Sequence, residues 1–233
     1  MGSKTTTFSN ELLGLLFTNA NIANVGDATG LRGSTSPGFW YVDLYSVSPG
    51  NAGGGTKVAY TGYTQVTLNR STGDFTLVSN SVKNVPAISF GKRTDSGAAQ
   101  SARFWGISRS TTGAADFWGA VGLEKPRVFL VTTASLASNR LVSAAHGFLD
   151  DDEIVCLTVE QAGAYPTTPP VQETVYYVRN KTTDDFQIGS MPGGSALTLG
   201  GVGSGRVQKI LSKSVTLNDT PSVNANEMVI YDD

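Results

Sequence analysis

Apolar runs in this chain are short, and turn residues cut off nearly every one. Phe39-Trp40-Tyr41-Val42-Asp43-Leu44-Tyr45 is rich in aromatic and β-branched side chains and stops at Ser48-Pro49-Gly50 and Gly53-Gly54-Gly55. Residues 63–68 alternate polar and apolar, and Phe75-Thr76-Leu77-Val78 follows Thr72-Gly73-Asp74. Residues 103–108 and 116–120 flank the turn Thr111-Thr112-Gly113. Pro86 lacks an amide donor, so residues 85–90 read as an edge strand or a strand start. Short runs of period two, punctuated this densely, exclude a helical bundle and predict an all-β chain. The architecture expected is a jelly-roll or Ig-like β-sandwich. Only 15% of the 233 residues are charged, and Gly, Ser, Thr and Asn fill the gap, which favours strands and turns.

One segment breaks the pattern. Phe8, Leu12, Leu15 and Leu16 recur at i, i+4, i+7 and i+8, which predicts a short helix over about residues 9–20. Thr7 or Ser9 is the expected cap, with Glu11 in the first turn. A helix this short is unstable alone and must pack on its own sheet or on a neighbouring subunit. Phe8, Leu12 and Leu16 are therefore candidate interface residues. Trp40, Trp105 and Trp118 join them, since strand tryptophans serve cores, subunit contacts or sugar-stacking platforms.

A second block, residues 127–211, has its own strand pattern at 141–142, 153–159, 175–179, 185–188 and 207–210. The last apolar runs, Ser214-Val215-Thr216-Leu217 and Met228-Val229-Ile230-Tyr231, look like closing strands of the first block. This predicts a core domain of residues 1–126 plus 212–233 and a small inserted β-domain, 127–211. Net charge is −2 overall, distributed as +3, −2 and −3 over residues 1–125, 126–211 and 212–233. Basic residues are too dispersed for a nucleic-acid stripe. No apolar stretch reaches the roughly 20 residues of a membrane-spanning helix. Residues 1–7 lack the apolar centre of a signal peptide.

Catalytic ingredients are scarce. His146 is the only histidine and Cys156 the only cysteine, so neither a zinc site nor a disulfide can be assembled within the chain. Cys156 lies in an apolar run and reads as a buried thiol. No nucleophile elbow or phosphate loop is present. Asp150-Asp151-Asp152-Glu153 does not follow the alternating spacing of a calcium loop and reads as a solvated turn. The expectation is a non-enzyme with no catalytic residue, no metal and no cofactor.

An ordered series of segments carries a resemblance. It begins with Phe8-Ser9-Asn10-Glu11-Leu12-Leu13-Gly14-Leu15-Leu16-Phe17 and Ile22-Ala23-Asn24-Val25-Gly26-Asp27. It continues with Trp40-Tyr41-Val42-Asp43-Leu44-Tyr45-Ser46-Val47-Ser48-Pro49-Gly50, Tyr60-Thr61-Gly62-Tyr63 and Ile88-Ser89-Phe90, and resumes over 214–231. These resemble a family of small tailed-bacteriophage virion proteins, capsid decoration (cement) proteins often labelled tail-fibre proteins. Asp43 and Tyr45 stand where that family carries Ser and His. Residues 127–211, absent from its short members, resemble a β-module of phage structural proteins through Ala145-His146-Gly147-Phe148 and Thr182-Thr183-Asp184-Asp185-Phe186-Gln187-Ile188. The resemblance implies a virion protein, assembled in the host bacterial cytoplasm and trimeric, that binds the major capsid protein without nucleic acid or membrane. A tail, neck or fibre component that binds a host glycan or an adaptor ring is the alternative.

Overall fold

The computed structural model describes residues 5–23, 25, 33, 36, 38–50, 52–121, 127–157, 165–167 and 169–231. Among the described residues strands dominate, all pairings are antiparallel, and two short helices accompany them. The fold is all-β. The chain divides into two compact units, Met1–Leu123 with Lys213–Asp233, and Glu124–Ser212.

Unit 1 opens with α1 (Thr6–Phe17). The Thr5 hydroxyl accepts from Phe8 N at 3.3 Å and meets one of the amides that a helix start leaves open. The far end is capped from a distance in sequence. Trp40 Nε1 and Arg70 Nε donate to the Leu16 carbonyl at 3.1 and 2.8 Å, and Arg70 Nη2 donates to that of Leu15 at 2.6 Å. Arg70 thus brings a cation to the helix C-terminus, where the dipole favours one. Periodicity predicts a start at residue 9, a cap at Thr7 or Ser9 and Glu11 in the first turn. The helix instead starts at Thr6 with Thr5 as cap, and no acid lies in its first turn. Its buried positions are Ser9, Leu13, Gly14 and Phe17, one residue away from the predicted stripe. Apolar side chains cover more than half of this helix, so spacing alone cannot choose the inward face.

Nine strands follow before the insertion: β1 (Phe39–Val47), β2 (Thr56–Lys57), β3 (Val66–Asn69), β4 (Phe75–Leu77), β5 (Ser81–Asn84), β6 (Ile88–Ser89), β7 (Gln100–Ala102), β8 (Phe104–Ser108) and β9 (Phe117–Ala120). In the main sheet β1 pairs with β2 and β3 along one side and with β8 along the other, and β9 lies beyond β8. Trp40, Val42 and Leu44 alternate along β1 and enter the core. Between β8 and β9 each tryptophan faces a glycine: Trp105 opposes Gly119 and Trp118 opposes Gly106. A Cβ on Gly119 would stand 2.5 Å from the Trp105 ring, and one on Gly106 would stand 2.7 Å from the Tyr45 ring. The rings lie across the neighbouring strand and leave no room for a side chain there.

Unit 2 is a closed barrel. Its strands are β10 (Arg127–Val131), β11 (Leu141–Val142), β12 (Glu153–Leu157), β13 (Val175–Arg179), β14 (Asp185–Gly189) and β15 (Gly203–Lys209). They run β10-β11-β14-β13-β12-β15 and back to β10, which removes every free edge. Phe129, Leu141, Ile154, Cys156, Val178, Phe186, Ile188 and Val207 form its apolar core. α2 (Thr133–Ala137) follows β10 and is held by reciprocal bonds between Thr132 and Ser135. The first and last strands are neighbours, with Arg127 opposite Val207. The chain therefore begins and ends the barrel side by side, as an insertion between two strands of another unit requires.

The chain returns to unit 1 as β16 (Lys213–Val215), β17 (Ser222–Val223) and β18 (Val229–Tyr231). β16 pairs with β7, β17 with β6, and β18 with β5, whose other neighbour is β4. Val215, Val223, Met228 and Ile230 join Leu13, Phe17, Trp40, Trp105 and Phe75 in one core.

Two outcomes follow. Residues 124–212 expressed alone will give a folded barrel with a single cooperative thermal transition, measured by circular dichroism. Gly119→Val will overpack the Trp105 contact and lower stability by about 1–3 kcal/mol in urea denaturation.

Candidate functional site

Among the described residues of unit 1, polar chemistry gathers around Asp43, Arg93, Asn84 and Glu227, each of them buried. Asp43, on β1, is 3% exposed. Its Oδ1 accepts from Tyr63 Oη at 3.1 Å, and its Oδ2 accepts from Lys57 Nζ at 2.7 Å and Gln65 Nε2 at 2.6 Å. Tyr63 Oη in turn accepts from Leu44 N at 2.9 Å. Burial pushes the Tyr63 hydroxyl far above its ordinary pKa, and the Asp43 charge adds to the shift. The same causes raise Tyr45 to about 12. Both phenols keep their protons, and both carboxylate oxygens accept bonds from neighbouring side chains.

Arg93 is 1% exposed. Its Nη1 donates to the Val215 carbonyl at 2.7 Å, and Nε and Nη2 donate to Asp95 Oδ1 at 3.1 and 2.6 Å. Asn84 is fully buried. Its Nδ2 donates to the Pro86 and Asn224 carbonyls at 2.8 and 2.9 Å, and its Oδ1 accepts from Met228 N at 2.9 Å. Lys213 Nζ donates to Glu227 Oε2 at 3.1 Å and also to the Ser222 carbonyl. Arg93 and Asn84 thus bind backbone of the returning segment, and Lys213 and Glu227 pair within it. None of them stood out in the sequence, because an isolated Arg, Asn or Lys carries no pattern.

Unit 2 uses its polar groups in the same way. His146 is buried between the rings of Phe148 and Phe186. Its Nδ1 accepts from Phe148 N at 2.9 Å, and Nε2 lies 3.3 Å from the Asp185 carbonyl. Both nitrogens serve the fold. The acidic run diverges: Asp150 accepts from Lys181 N, Asp151 from Gly193 N and Arg179, Asp152 from Leu149 N, and Glu153 from Tyr177 Oη. Asp152 also pairs with Lys209 Nζ at 2.7 Å. Among the described residues no group of three or more His, Cys, Asp or Glu is placed to hold a metal ion. Cys156 is fully buried, and that burial pushes its thiol up to about 12. Two hollows, of about 590 and 540 Å³, are lined by Gly147, Leu149, Lys181 and Thr182, and by Tyr165, Pro166, Val171 and Gln172.

The six candidate interface residues separate. Trp40 and Trp105 are buried in the core, Trp40 stacked on Phe17, so both leave the candidate surface. Leu16 is half-buried against the same core, with its carbonyl bound by Trp40 and Arg70. Trp118 is half-buried, set edge-on to Phe104. Phe8 is 39% exposed and Leu12 is half-buried. Phe8, Leu12 and Leu15 thus lie along the partly exposed side of α1, and Trp118 is the other candidate not taken into the core. Among the described residues no helix is long and apolar enough to cross a membrane. Comparison with protein-family models, curated proteins and solved structures finds no match to this chain.

Two measurements test these ties. The Arg93 side chain, then the amides of Thr61 and Gly97, hold Asp95 down to about 2 from 3.8. A carboxylate depressed on folding adds stability above its unfolded pKa and loses it as pH falls through the folded value. The stability gap between wild type and Asp95→Asn will therefore be constant above about pH 5 and close between about pH 4 and 2. Cys156 will resist a thiol reagent in the folded protein and react at the rate at which unit 2 unfolds.

Proposed function

We propose that the protein is a structural component of a tailed-phage particle, a capsid decoration protein that binds the major capsid protein shell. The observation that carries this reading is how the described titratable groups are used. Asp43, Arg93, His146 and the acidic run are spent on internal bonds, while α1 keeps an outward apolar stripe. The ordered resemblance over residues 8–90 and 214–231 supports the same assignment. Such a protein works by contact area rather than bond chemistry. Each copy covers apolar surface on adjacent shell subunits, and many modest contacts repeated over a shell add up. Unit 1 is read as a sandwich of jelly-roll or Ig-like type. Its five-stranded sheet and its three smaller sheets contribute to one shared core, which supports that reading. We assign a trimer as the working assembly and the virion as its place.

Trp118, only half-buried, favours one second reading, a tail or fibre component that binds a host glycan through an aromatic face.

The test keeps the core intact. Deleting α1 would remove Phe17 and unfold unit 1, so the informative variant is Phe8→Ser with Leu12→Ser. It will keep the wild-type melting temperature and lose binding to empty capsids in co-sedimentation. Full capsid occupancy by this variant refutes docking through α1. Copy number per particle, measured against the capsid protein, will be of the order of the shell lattice; a far smaller number with glycan binding abolished by Trp118→Ala selects the tail reading.

A further inference from the structure

Three strands of unit 1 arrive late in the chain, and their partners depend on them. β6 pairs only with β17, and β7 only with β16, among the described strands. The returning segment also fills the core with Val215, Val223, Met228 and Ile230. The groove that receives it reads backbone. Arg93 Nη1 donates to the Val215 carbonyl, Arg93 N to that of Asp219, and Phe90 N to that of Pro221. Asn84 accepts from Met228 N and donates to the Asn224 carbonyl. The link to the barrel is short. Ile210 N is bonded to the Glu153 carbonyl in unit 2, Lys213 is paired with Ala102 in unit 1, and exposed Leu211 and Ser212 lie between.

We infer that residues 213–231 act as a donor segment that a second copy of this chain can supply to the same groove. Every bond in the groove is the same whether the segment comes from its own chain or another. The balance between closed monomer and exchanged assembly then depends on protein concentration and on the two-residue hinge. Removing the segment would leave β5, β6 and β7 with open edges and an uncovered apolar core, so the groove does not stay empty. Exchange in both directions gives a closed dimer with each barrel still covalently joined to its own unit 1.

Full-length chains test this. Ser101 on β7 directly opposes Ser214 on β16, and Ser89 on β6 opposes Ser222 on β17. Opposed residues of antiparallel strands lie about 4.5–5.5 Å apart at Cα, within disulfide range. A Ser101→Cys chain is mixed with a Ser214→Cys chain, warmed to partial unfolding, cooled and oxidised. The Ser89→Cys and Ser222→Cys chains form a second, independent pair. The expected result is a disulfide-linked mixed dimer in several-fold excess over either homodimer, in at least one pair, increasing with protein concentration. Mixed dimers no more abundant than homodimers in both pairs overturn the proposal. So does exclusive intramolecular closure, at every concentration, of one chain carrying both Ser101→Cys and Ser214→Cys and of another carrying both Ser89→Cys and Ser222→Cys.

Discussion

A polar group removed from water must find a partner, and in unit 1 that requirement decides how the chain closes. Asn84 is fully buried, and leaving its amide unpaired would cost about 1–3 kcal/mol. Its partners lie at Asn224 and Met228, more than a hundred residues away. Arg93, a buried cation, faces the same demand more severely and meets it at Val215 and Asp95. The two residues fix the register of the returning segment, and with it the pairing of β16, β17 and β18. The apolar core supplies the driving force; these anchors select which arrangement of that core is reached.

The two units solve the edge problem differently. Unit 2 closes on itself, so each backbone ladder ends on another strand of the same barrel. Unit 1 depends on a segment that arrives only after the barrel has been made. The pairing of the barrel's first and last strands reconciles the two, since it brings the interrupted chain back to where it left. Packing in the main sheet is equally specific. Trp105 and Tyr45 lie over glycines of neighbouring strands, where no other residue leaves space.

The distribution of polar groups bears on function. Asp43, Arg93 and the imidazole of His146 bond to internal partners, and the tyrosines beside Asp43 are held protonated. That arrangement stiffens a scaffold and presents surface.

Much of the architecture was legible in the residue pattern because alternation is a local signal. β1, β4, β8, β9, β13 and β14 fall within two residues of runs rich in β-branched and aromatic side chains. Composition and turn residues alone determined the all-β class. The change of pattern after residue 126 and before residue 212 lies close to the division at Leu123 and Lys213. Tertiary structure decided the rest. β5 reads Ser-Val-Lys-Asn and β7 reads Gln-Ser-Ala, sequences with no β signature. They are strands because partners distant in sequence pair with them. The inward face of α1 was undecidable from spacing, because Leu13 and Phe17 differ from Leu12 and Leu16 only in what lies opposite. The sequence leaves Trp40 and Trp105 open to core, subunit contact or sugar stacking, because an indole does not announce its burial; stacking on Phe17 and the space over Gly119 put them inside. Local periodicity is written in neighbouring residues, whereas burial and long-range hydrogen bonds exist only once distant segments meet.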